Sequence, residues 1–289
     1  MKHKHFRVTK ASGNKATFSV DQLRHSLLRS GADNQRVESI IDKIIRESYE
    51  GIPTKLIYRK AYSLLKGLPN AEASRYKLKN AILELGPTGF PFEQFIGRLL
   101  KHMGYEVKVG QVVKGHCVTH EVDVIAQKDQ EHFMIECKFH NQKGFNCDVK
   151  IPLYISARFW DIEKNWKKLN GHENKIHQAW LVTNTRFSDD AISYGLCSGL
   201  KLIGWDFPKG NSLKDLIDRN GLHPITSLST LTKFEKQTLL DNDIVLCSEL
   251  KNAMSLLSKI VSSEERVKKI DTECHHLCTE MSRAGSVSV

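Results

Sequence analysis

Two short segments of the sequence combine acidic residues and a lysine with strongly apolar runs. The first spans residues 120–126 and contains Asp123, and the second spans residues 133–139 and contains Glu136 and Lys138. Both segments have the composition of β-strands. Because residues two apart share a face of a strand, Glu136 and Lys138 project together, while the residues that alternate with them form an apolar face. An antiparallel neighbouring strand brings Asp123 beside this pair.

Such an arrangement of acids predicts a metal site. Two carboxylates that converge on one point repel each other unless a hard cation lies between them, and oxygen ligands suit Mg²⁺ or Mn²⁺. The ion stabilises charge on a phosphate and lowers the pKa of a bound water, while Lys138 orients that water or supports the developing negative charge. Asp123 and Glu136 are therefore predicted metal ligands, and the predicted chemistry is phosphodiester hydrolysis. The alternative is that these residues are only surface charges at strand edges.

The spacing Glu-x-Lys does not by itself identify the site. The same triplet occurs at Glu106-Val107-Lys108 and at Glu249-Leu250-Lys251. Only the triplet at Glu136 lies in a strongly apolar strand, directly after another strand that carries a carboxylate. Within that preceding strand Glu121 is ranked below Asp123, because it is expected either to point away from the site or to flank it at a bulge.

Composition and charge favour a polyanionic partner. The chain has 289 residues and a formal net charge of +10, which attracts nucleic acid by releasing counterions from phosphates, although a merely basic surface is an equal alternative. Its seven cysteines are odd in number and scattered, which predicts reduced thiols. No apolar run is long enough to span a membrane, so a cytoplasmic protein without a membrane partner is expected.

The order of predicted elements divides the chain into three parts. Residues 1–86 begin with a strand hairpin around Ser12-Gly13-Asn14 and continue with amphipathic helices, the first capped by Ser19 or Asp21 and the last running from about 71 to 85. The breaker cluster at residues 86–91 marks the first boundary.

Residues 87–211 change character and predict a mixed sheet flanked by helices. A helix over about 92–103 precedes three strands in a meander, and a helix over about 155–169 precedes a βαβ crossover. Residues 212–289 are predicted to be helical, with a frayed polar end over 273–289. Within that end, residues 274–278 include two cysteines and two histidines, which lie too close together in sequence to surround one tetrahedral zinc ion easily.

The middle part resembles the Mrr-type restriction endonuclease-like domains of the PD-(D/E)-x-K superfamily. The matching motifs are Phe92-Glu93-x-x-x-Gly97, Glu121-Val122-Asp123-Val124, Glu136-Cys137-Lys138 and Ala179-Trp180-Leu181-Val182-Thr183-Asn184. By this resemblance the catalytic set consists of Asp123, Glu136 and Lys138, and Glu93 on the first helix supplies a further acid. The proline that gives the motif its name is absent before Asp123.

Residues 6–66 resemble the ATP-cone, a nucleotide-binding regulatory domain. The match is carried by Val8-Thr9-Lys10, Ser12-Gly13, Phe18, Gly51-Ile52-Pro53-Thr54 and Ile57-Tyr58. The resemblance implies that ATP or dATP binds at Val8, Lys10, Thr54 and Tyr58, with Lys10 on phosphate. Ala11 and Gln22 stand where the family commonly has an arginine and a lysine, and both changes remove a charge that pairs with phosphate.

These features together predict a metal-dependent DNA endonuclease of the α/β class, controlled by a nucleotide effector and suited to bacterial defence. A homo-oligomer is expected. The second hypothesis is a nucleotide-responsive DNA-binding regulator whose nuclease fold is catalytically silent. A third is an assembly role in which the cone serves only subunit association.

Overall fold

A computed structural model describes residues 6–10, 12–65, 71–142, 144–172 and 175–279. Ala11, one of the two departures from the ATP-cone pattern, lies outside these ranges. No helix in the part of the chain so described is both long enough and apolar enough to cross a membrane.

The N-terminal part is a small three-stranded sheet covered by helices. Its elements are β1 (Arg7–Thr9), β2 (Lys15–Thr17), α1 (Val20–Arg29), α2 (Asn34–Arg46), β3 (Ile52–Pro53) and α3 (Thr54–Leu65). Strand β1 lies in the middle, antiparallel to β2 and parallel to β3. The predicted hairpin is present, and Ser19 caps α1 by accepting from the backbone N–H of Gln22 at 3.2 Å.

The single helix expected over residues 71–85 is wrong, because the chain forms two helices there. Helix α4 (Ala71–Tyr76) and helix α5 (Leu78–Leu83) are separated at Lys77. The break has a packing cause: the buried residues of α4 join the N-terminal core, whereas those of α5 join the core beneath the large sheet. A single straight helix has one apolar face, and that face cannot pack against two cores that lie in different directions.

The middle part contains the predicted mixed sheet. Its elements are α6 (Phe90–His102), β4 (Glu106–Lys114), β5 (Thr119–Lys128), β6 (Glu131–Lys138), β7 (Asn146–Cys147), α7 (Lys150–Trp166), β8 (Ile176–Thr183), β9 (Arg186–Phe187), α8 (Asp189–Cys197) and β10 (Lys201–Ile203). The strand order is β10-β8-β6-β5-β4, with β4, β5 and β6 antiparallel and β6, β8 and β10 parallel. The meander and the crossover are both confirmed.

Helices cover both faces of this sheet. On one face Val124, Ile135 and Cys137 pack in the core formed with α6, and on the other Met134 packs in the core formed with α7. The predicted apolar face of β6 is thus present. Helix α7 begins at Lys150, earlier than the expected start near residue 155, and Pro152 is accommodated in its first turn, where a missing N–H costs no helical bond.

The C-terminal part is helical, as predicted, and packs on the α6 side of the sheet. It comprises α9 (Leu213–Asn220), a 3₁₀ turn (Ile225–Ser227), α10 (Lys233–Asp241), a 3₁₀ segment (Cys247–Ala253), α11 (Met254–Ile260) and α12 (Glu264–Thr279). Its apolar residues form one continuous core with α5, α6 and the sheet.

The frayed end expected over residues 273–289 is wrong for residues 273–279, which form the last turns of α12. Glu273 is buried and accepts hydrogen bonds from the backbone N–H and hydroxyl groups of both Ser229 and Thr230, at 2.6 to 2.9 Å. Leu277 is fully buried. The segment is polar in sequence, but the carboxylate of Glu273 faces inward, so a polar composition did not mean an exposed end. Residues 280–289 lie outside the described ranges.

Helix α6 approaches strand β4 closely at Gly97. A Cβ atom added there would lie 2.7 Å from Cγ2 of Val109 and 3.5 Å from Cγ1 of Val107. The absence of a side chain thus sets the distance between the helix and the sheet.

We expect Gly97→Val to lower the free energy of unfolding by at least about 2 kcal/mol, since overpacking costs about 1–3 kcal/mol and a β-branched residue regains little helix propensity. Urea denaturation measures the change. Lys101→Val, on the exposed face of the same helix, is the matched control and should cost under about 1 kcal/mol. Equal losses in the two variants would contradict a role of this contact.

Candidate active site

Asp123 and Glu136 come together on adjacent antiparallel strands, one position beyond the last paired residues. The ladder between β5 and β6 ends at the pair Val124 and Ile135, and Asp123 and Glu136 are the next positions in that register. Beyond the last ladder pair, the side chain of Asp123 continues the pairing, because its Oδ2 accepts a hydrogen bond of 2.7 Å from the backbone N–H of Cys137. The structure therefore brings together the two predicted metal ligands.

The pleat of the sheet is interrupted at the level of Asp123. On β4, Val109 pairs with Val124 and Gln111 with Val122, which places Gly110 opposite Asp123, and Gly110 has a φ of 61°. Glycine inside a strand is typical of such an irregularity.

The acid that precedes Asp123 by two positions belongs to the same charged neighbourhood. Glu121 lies near enough to raise the pKa of both Glu93 and Asp123 by charge repulsion. Of the two placements expected for Glu121, the flanking one is correct. The interrupted pleat at this level means that strict alternation does not decide the side on which Glu121 lies.

Glu93 joins this group from the first turn of α6. Burial, followed by repulsion from Asp123 and Glu121, raises the pKa of Glu93 to about 7. Helix α6 packs across β4, β5 and β6, which places its N-terminal turn beside the polar ends of these strands. The structure therefore confirms that Glu93 lies beside the other acids, as the family resemblance implied.

Glu136 is held by an arginine that sequence reasoning missed. Nη1 of Arg158 on α7 lies 2.6 Å from Oε2 of Glu136, and Nη2 donates to the carbonyl oxygen of Glu121. Only 11% of the Arg158 side chain is exposed. No spacing in the sequence links Arg158 to strands over 20 residues away, so only the packing of α7 on the sheet reveals it.

The electrostatics of the acids fit a divalent cation. Burial, then Asp123 and Glu93, raises the pKa of Glu136 to about 7 against the opposing charge of Arg158. Burial also raises the pKa of Asp123. Among the described residues no hydrogen bond reaches Oδ1 of Asp123, Oε1 of Glu136 or either oxygen of Glu93. These oxygens are therefore available as hard ligands of the kind Mg²⁺ prefers.

Lys138 lies at the end of β6, where strand β8 holds its backbone. The hydroxyl of Thr183 donates to the carbonyl oxygen of Lys138 at 2.7 Å. Two residues further on, the side chain of Asn184 bonds both the N–H and the carbonyl of His140, at 2.9 and 2.8 Å. Burial raises the pKa of Asp123, and the Lys138 ammonium offsets part of that rise, which places its charge near that carboxylate. Thr183 and Asn184 thus position the lysine without touching the acids.

Helix α7 is anchored to the sheet by Asp161. Its carboxylate accepts from the backbone N–H groups of Cys117 and Val118 at 2.7 and 3.2 Å, and from Nε2 of His120 at 2.8 Å. The pKa of Asp161 is lowered, mainly by the bond from His120. Because Asp161 lies one turn after Arg158, this anchor also places the arginine over the site.

The residues expected to bind a nucleotide occupy different environments. Val8 is 4% exposed and lies in the N-terminal core, and Thr54 is the half-buried first residue of α3. Lys10 and Tyr58 line a cavity of about 520 Å³ between the N-terminal part and the segments around β7 and β9 of the middle part. The Tyr58 ring stacks on Tyr76 at 5.0 Å between centroids.

Comparison with known families supports the middle and C-terminal parts of the fold. Residues 86–150, which contain Glu93, Asp123, Glu136 and Lys138, match the family model described as restriction endonuclease. Residues 223–278 match the model described as AF1548-like, C-terminal. The chain therefore contains a restriction endonuclease-like domain followed by a second domain that sequence analysis had described only as helical. Neither match covers the N-terminal part, so the ATP-cone stays a prediction.

Two individual proteins are similar over most of their own length. A solved structure titled "Crystal Structure of Protein of Unknown Function AF1548" is 32% identical, with coverage of 70% of this chain and 100% of that chain and a TM-score of 0.49. An uncharacterised protein of Archaeoglobus fulgidus is 36% identical over 179 residues, which are 62% of this chain and 97% of the relative. At that identity over nearly the whole relative, the chain belongs to the same family as this Archaeoglobus fulgidus protein.

Proposed function

We propose that the chain is a metal-dependent DNA endonuclease whose catalytic centre is formed by Asp123, Glu136 and Lys138. The observation that carries this proposal is the convergence of Asp123 and Glu136 just beyond the last β5–β6 pair, where Asp123 accepts a hydrogen bond from the N–H of Cys137, with carboxylate oxygens that no described residue binds and with raised pKa values. A surface that only bound DNA would gain nothing from buried acids that repel phosphate. The match of residues 86–150 to restriction endonucleases supports the same activity.

In this proposal Asp123 and Glu136 hold Mg²⁺ or Mn²⁺, and Glu93 contributes a further oxygen ligand or accepts a proton. The bound ion would neutralise charge on the scissile phosphate and lower the pKa of the attacking water. Lys138 orients that water or supports the developing charge. Arg158, which pairs with Glu136, supplies a planar cation that suits a phosphate.

The surface beside the acids suits a nucleic-acid strand. Tyr154 on α7 is 62% exposed, and its ring lies 5.5 Å from the guanidinium of Arg158. Exposed aromatic rings paired with cations are the groups on which bases stack and to which phosphates bind. We propose that α7 guides the DNA strand toward Arg158.

We also propose that ATP or dATP controls this activity from the cavity that Lys10 and Tyr58 line. Lys10 and Lys79 supply positive charge there, and Tyr58 supplies an aromatic ring. Asn184 also lines the cavity, and it is the residue that holds the chain after Lys138. A ligand that contacts Asn184 is therefore next to Thr183, whose hydroxyl binds the backbone carbonyl of Lys138. The expected homo-oligomer remains part of this proposal.

Each of Glu136→Gln, Asp123→Asn and Lys138→Met is expected to lower the rate of DNA cleavage at least about 100-fold, because each removes a ligand or charge used in the transition state. DNA affinity should change little. Cleavage of plasmid and linear DNA with Mg²⁺ or Mn²⁺ and a filter-binding assay measure the two effects.

The matched control is the double variant Glu106→Gln/Lys108→Met, which removes the same Glu-x-Lys pattern from the exposed face of β4. It should cleave like the wild-type protein. A wild-type protein that leaves every DNA form intact would overturn the proposal. A protein that binds DNA, with no difference between Glu136→Gln and wild type, would favour the regulator instead.

The raised pKa values predict a metal-dependent change of stability with pH. A carboxyl group whose folded pKa is raised stabilises the fold below its unfolded pKa, near 4.5, and this contribution is lost as the pH rises through about 7, the folded pKa of Glu93 and Glu136. Metal-free protein should therefore melt at a lower temperature at about pH 8 than at about pH 5. Mg²⁺ should raise the melting temperature at pH 8 and have little effect at pH 5, since ligands must be deprotonated.

Calorimetry in Mg²⁺ or in a chelator tests this expectation. Asp123→Asn, which lacks one ligand and one repelling charge, should show a smaller pH dependence and a smaller response to Mg²⁺. An identical response to Mg²⁺ at both pH values, or in both proteins, would contradict the assignment.

ATP or dATP is expected to change the cleavage rate by at least about fivefold, the lower end of ordinary coupling between two sites. Lys10→Ala and Lys79→Ala should abolish that response and leave the basal rate unchanged. Lys15→Ala, an exposed lysine of β2, is the control. A response that survives in both cavity variants would place the effector elsewhere, and no response in the wild-type protein would leave only the nuclease proposal.

A further inference from the structure

Three histidines converge at the end of the sheet remote from the acids. His132 lies on β6, His177 lies beside it on β8 as its register partner, and His172 precedes β8. One ligand nitrogen from each lies within 4.8 Å of the other two. The ring centroids form a nearly equilateral triangle with sides of 5.0, 5.4 and 5.4 Å.

Hydrogen bonding to the described residues does not explain the buried nitrogens of His132 and His177. Nδ1 of His132 and both ring nitrogens of His177 are buried, and none of them has a hydrogen-bond partner among the described residues. Buried polar atoms in folded proteins are normally paired. Two adjacent strands thus present imidazole nitrogens that no described residue satisfies.

The surroundings favour the neutral form of His132 and His177 and partly shield both rings from water. Trp166 is 3% exposed, and its ring lies 4.1 Å from His132 and 5.4 Å from His177. Burial, then the other imidazoles, lowers the pKa of His132 to about 4, and burial also lowers the pKa of His177. Neutral imidazole is the form that binds metals. The nearby ammonium of Lys175 is held at 3.0 Å by Oε1 of Gln127.

The triangle has the size that a tetrahedral transition metal needs after a small contraction. Zinc–nitrogen bonds of about 2.0–2.1 Å place two imidazole nitrogens about 3.4 Å apart, so a closure of roughly 1 to 1.5 Å suffices. Three histidines leave one of the four positions for water. His132 also lines a cavity of about 550 Å³, which provides a path from solvent.

We propose that His132, His172 and His177 form a second metal site, which binds Zn²⁺ through three imidazoles. The site is distinct from the acidic one, because His132 and Glu136 are four residues apart on β6 and hence about 13 Å apart. The ligand types differ as well, since imidazoles suit Zn²⁺ and carboxylates suit Mg²⁺. The metal ties the segment before β8 to the sheet, so its role is structural, and it does not depend on the proposed nuclease activity.

Binding of Zn²⁺ and of Co²⁺ to full-length Asp123→Asn tests the proposal, because this background weakens binding at the acidic site. We expect one equivalent of Zn²⁺ by calorimetry, intense visible absorption from tetrahedral Co²⁺, and a rise of the melting temperature by several degrees, on the order of 5 °C, with excess Zn²⁺. His172→Asn and His177→Asn, each in this background, should weaken Zn²⁺ binding by more than the roughly 10–100-fold that loss of an outer-shell partner costs.

His102→Asn, at the exposed end of α6, is the matched control and should bind Zn²⁺ like the parent. The melting temperatures of the metal-free variants show whether each one folds. Because His172 and His177 lie on different segments, each substitution is expected to weaken Zn²⁺ binding independently. Absence of Co²⁺ absorption in the parent, or unchanged Zn²⁺ affinity in both folded histidine variants, would overturn the proposal.

Discussion

The mutual repulsion of the carboxylates around Asp123 is the constraint that the rest of the structure must withstand. Asp123 and Glu93 raise the pKa of Glu136, and Asp123 raises the pKa of Glu93. Nothing intrinsic to these side chains favours their approach, so the energy that holds them must come from burial elsewhere in the domain. The register of β5 and β6 is enforced by apolar residues on both faces, because a slip of one residue would move every core side chain to the opposite face of the sheet.

Two helices on opposite faces of the sheet then complete the site. Helix α6 can bring Glu93 to the strands because Gly97 permits a close approach to Val109. Helix α7 brings Arg158 to Glu136 and is anchored by Asp161, whose carboxylate holds the β4–β5 turn. The pairing of Arg158 with Glu136 lowers the cost of burying the acid, so the same contact contributes both to folding and to the chemistry that we propose.

The two ends of β6 carry groups of opposite character. Glu136 and Lys138 lie at one end among acids, and His132 lies at the other among imidazoles. Residues 274–278 also bring cysteines and histidines together in the chain, but so closely that they are not expected to surround one zinc ion easily. There Cys274 is buried and its thiol donates to the carbonyl oxygen of Cys247, so it serves the helical core. Proximity in sequence was thus a poor guide to proximity of ligands.

What the sequence by itself determined is local. Alternation along the two apolar strands was sufficient to predict Asp123, Glu136 and Lys138 as one site, because adjacent strands joined by a short turn leave few choices of register. It also predicted the mixed sheet and the helical C-terminal part. Only the tertiary structure decided that residues 71–85 form two helices, that Arg158 contacts Glu136, and that three histidines converge. The physical reason is the same in each instance. These features depend on how helices and strands that are distant in the chain pack against a shared core, and the residue pattern within one segment does not predict that packing.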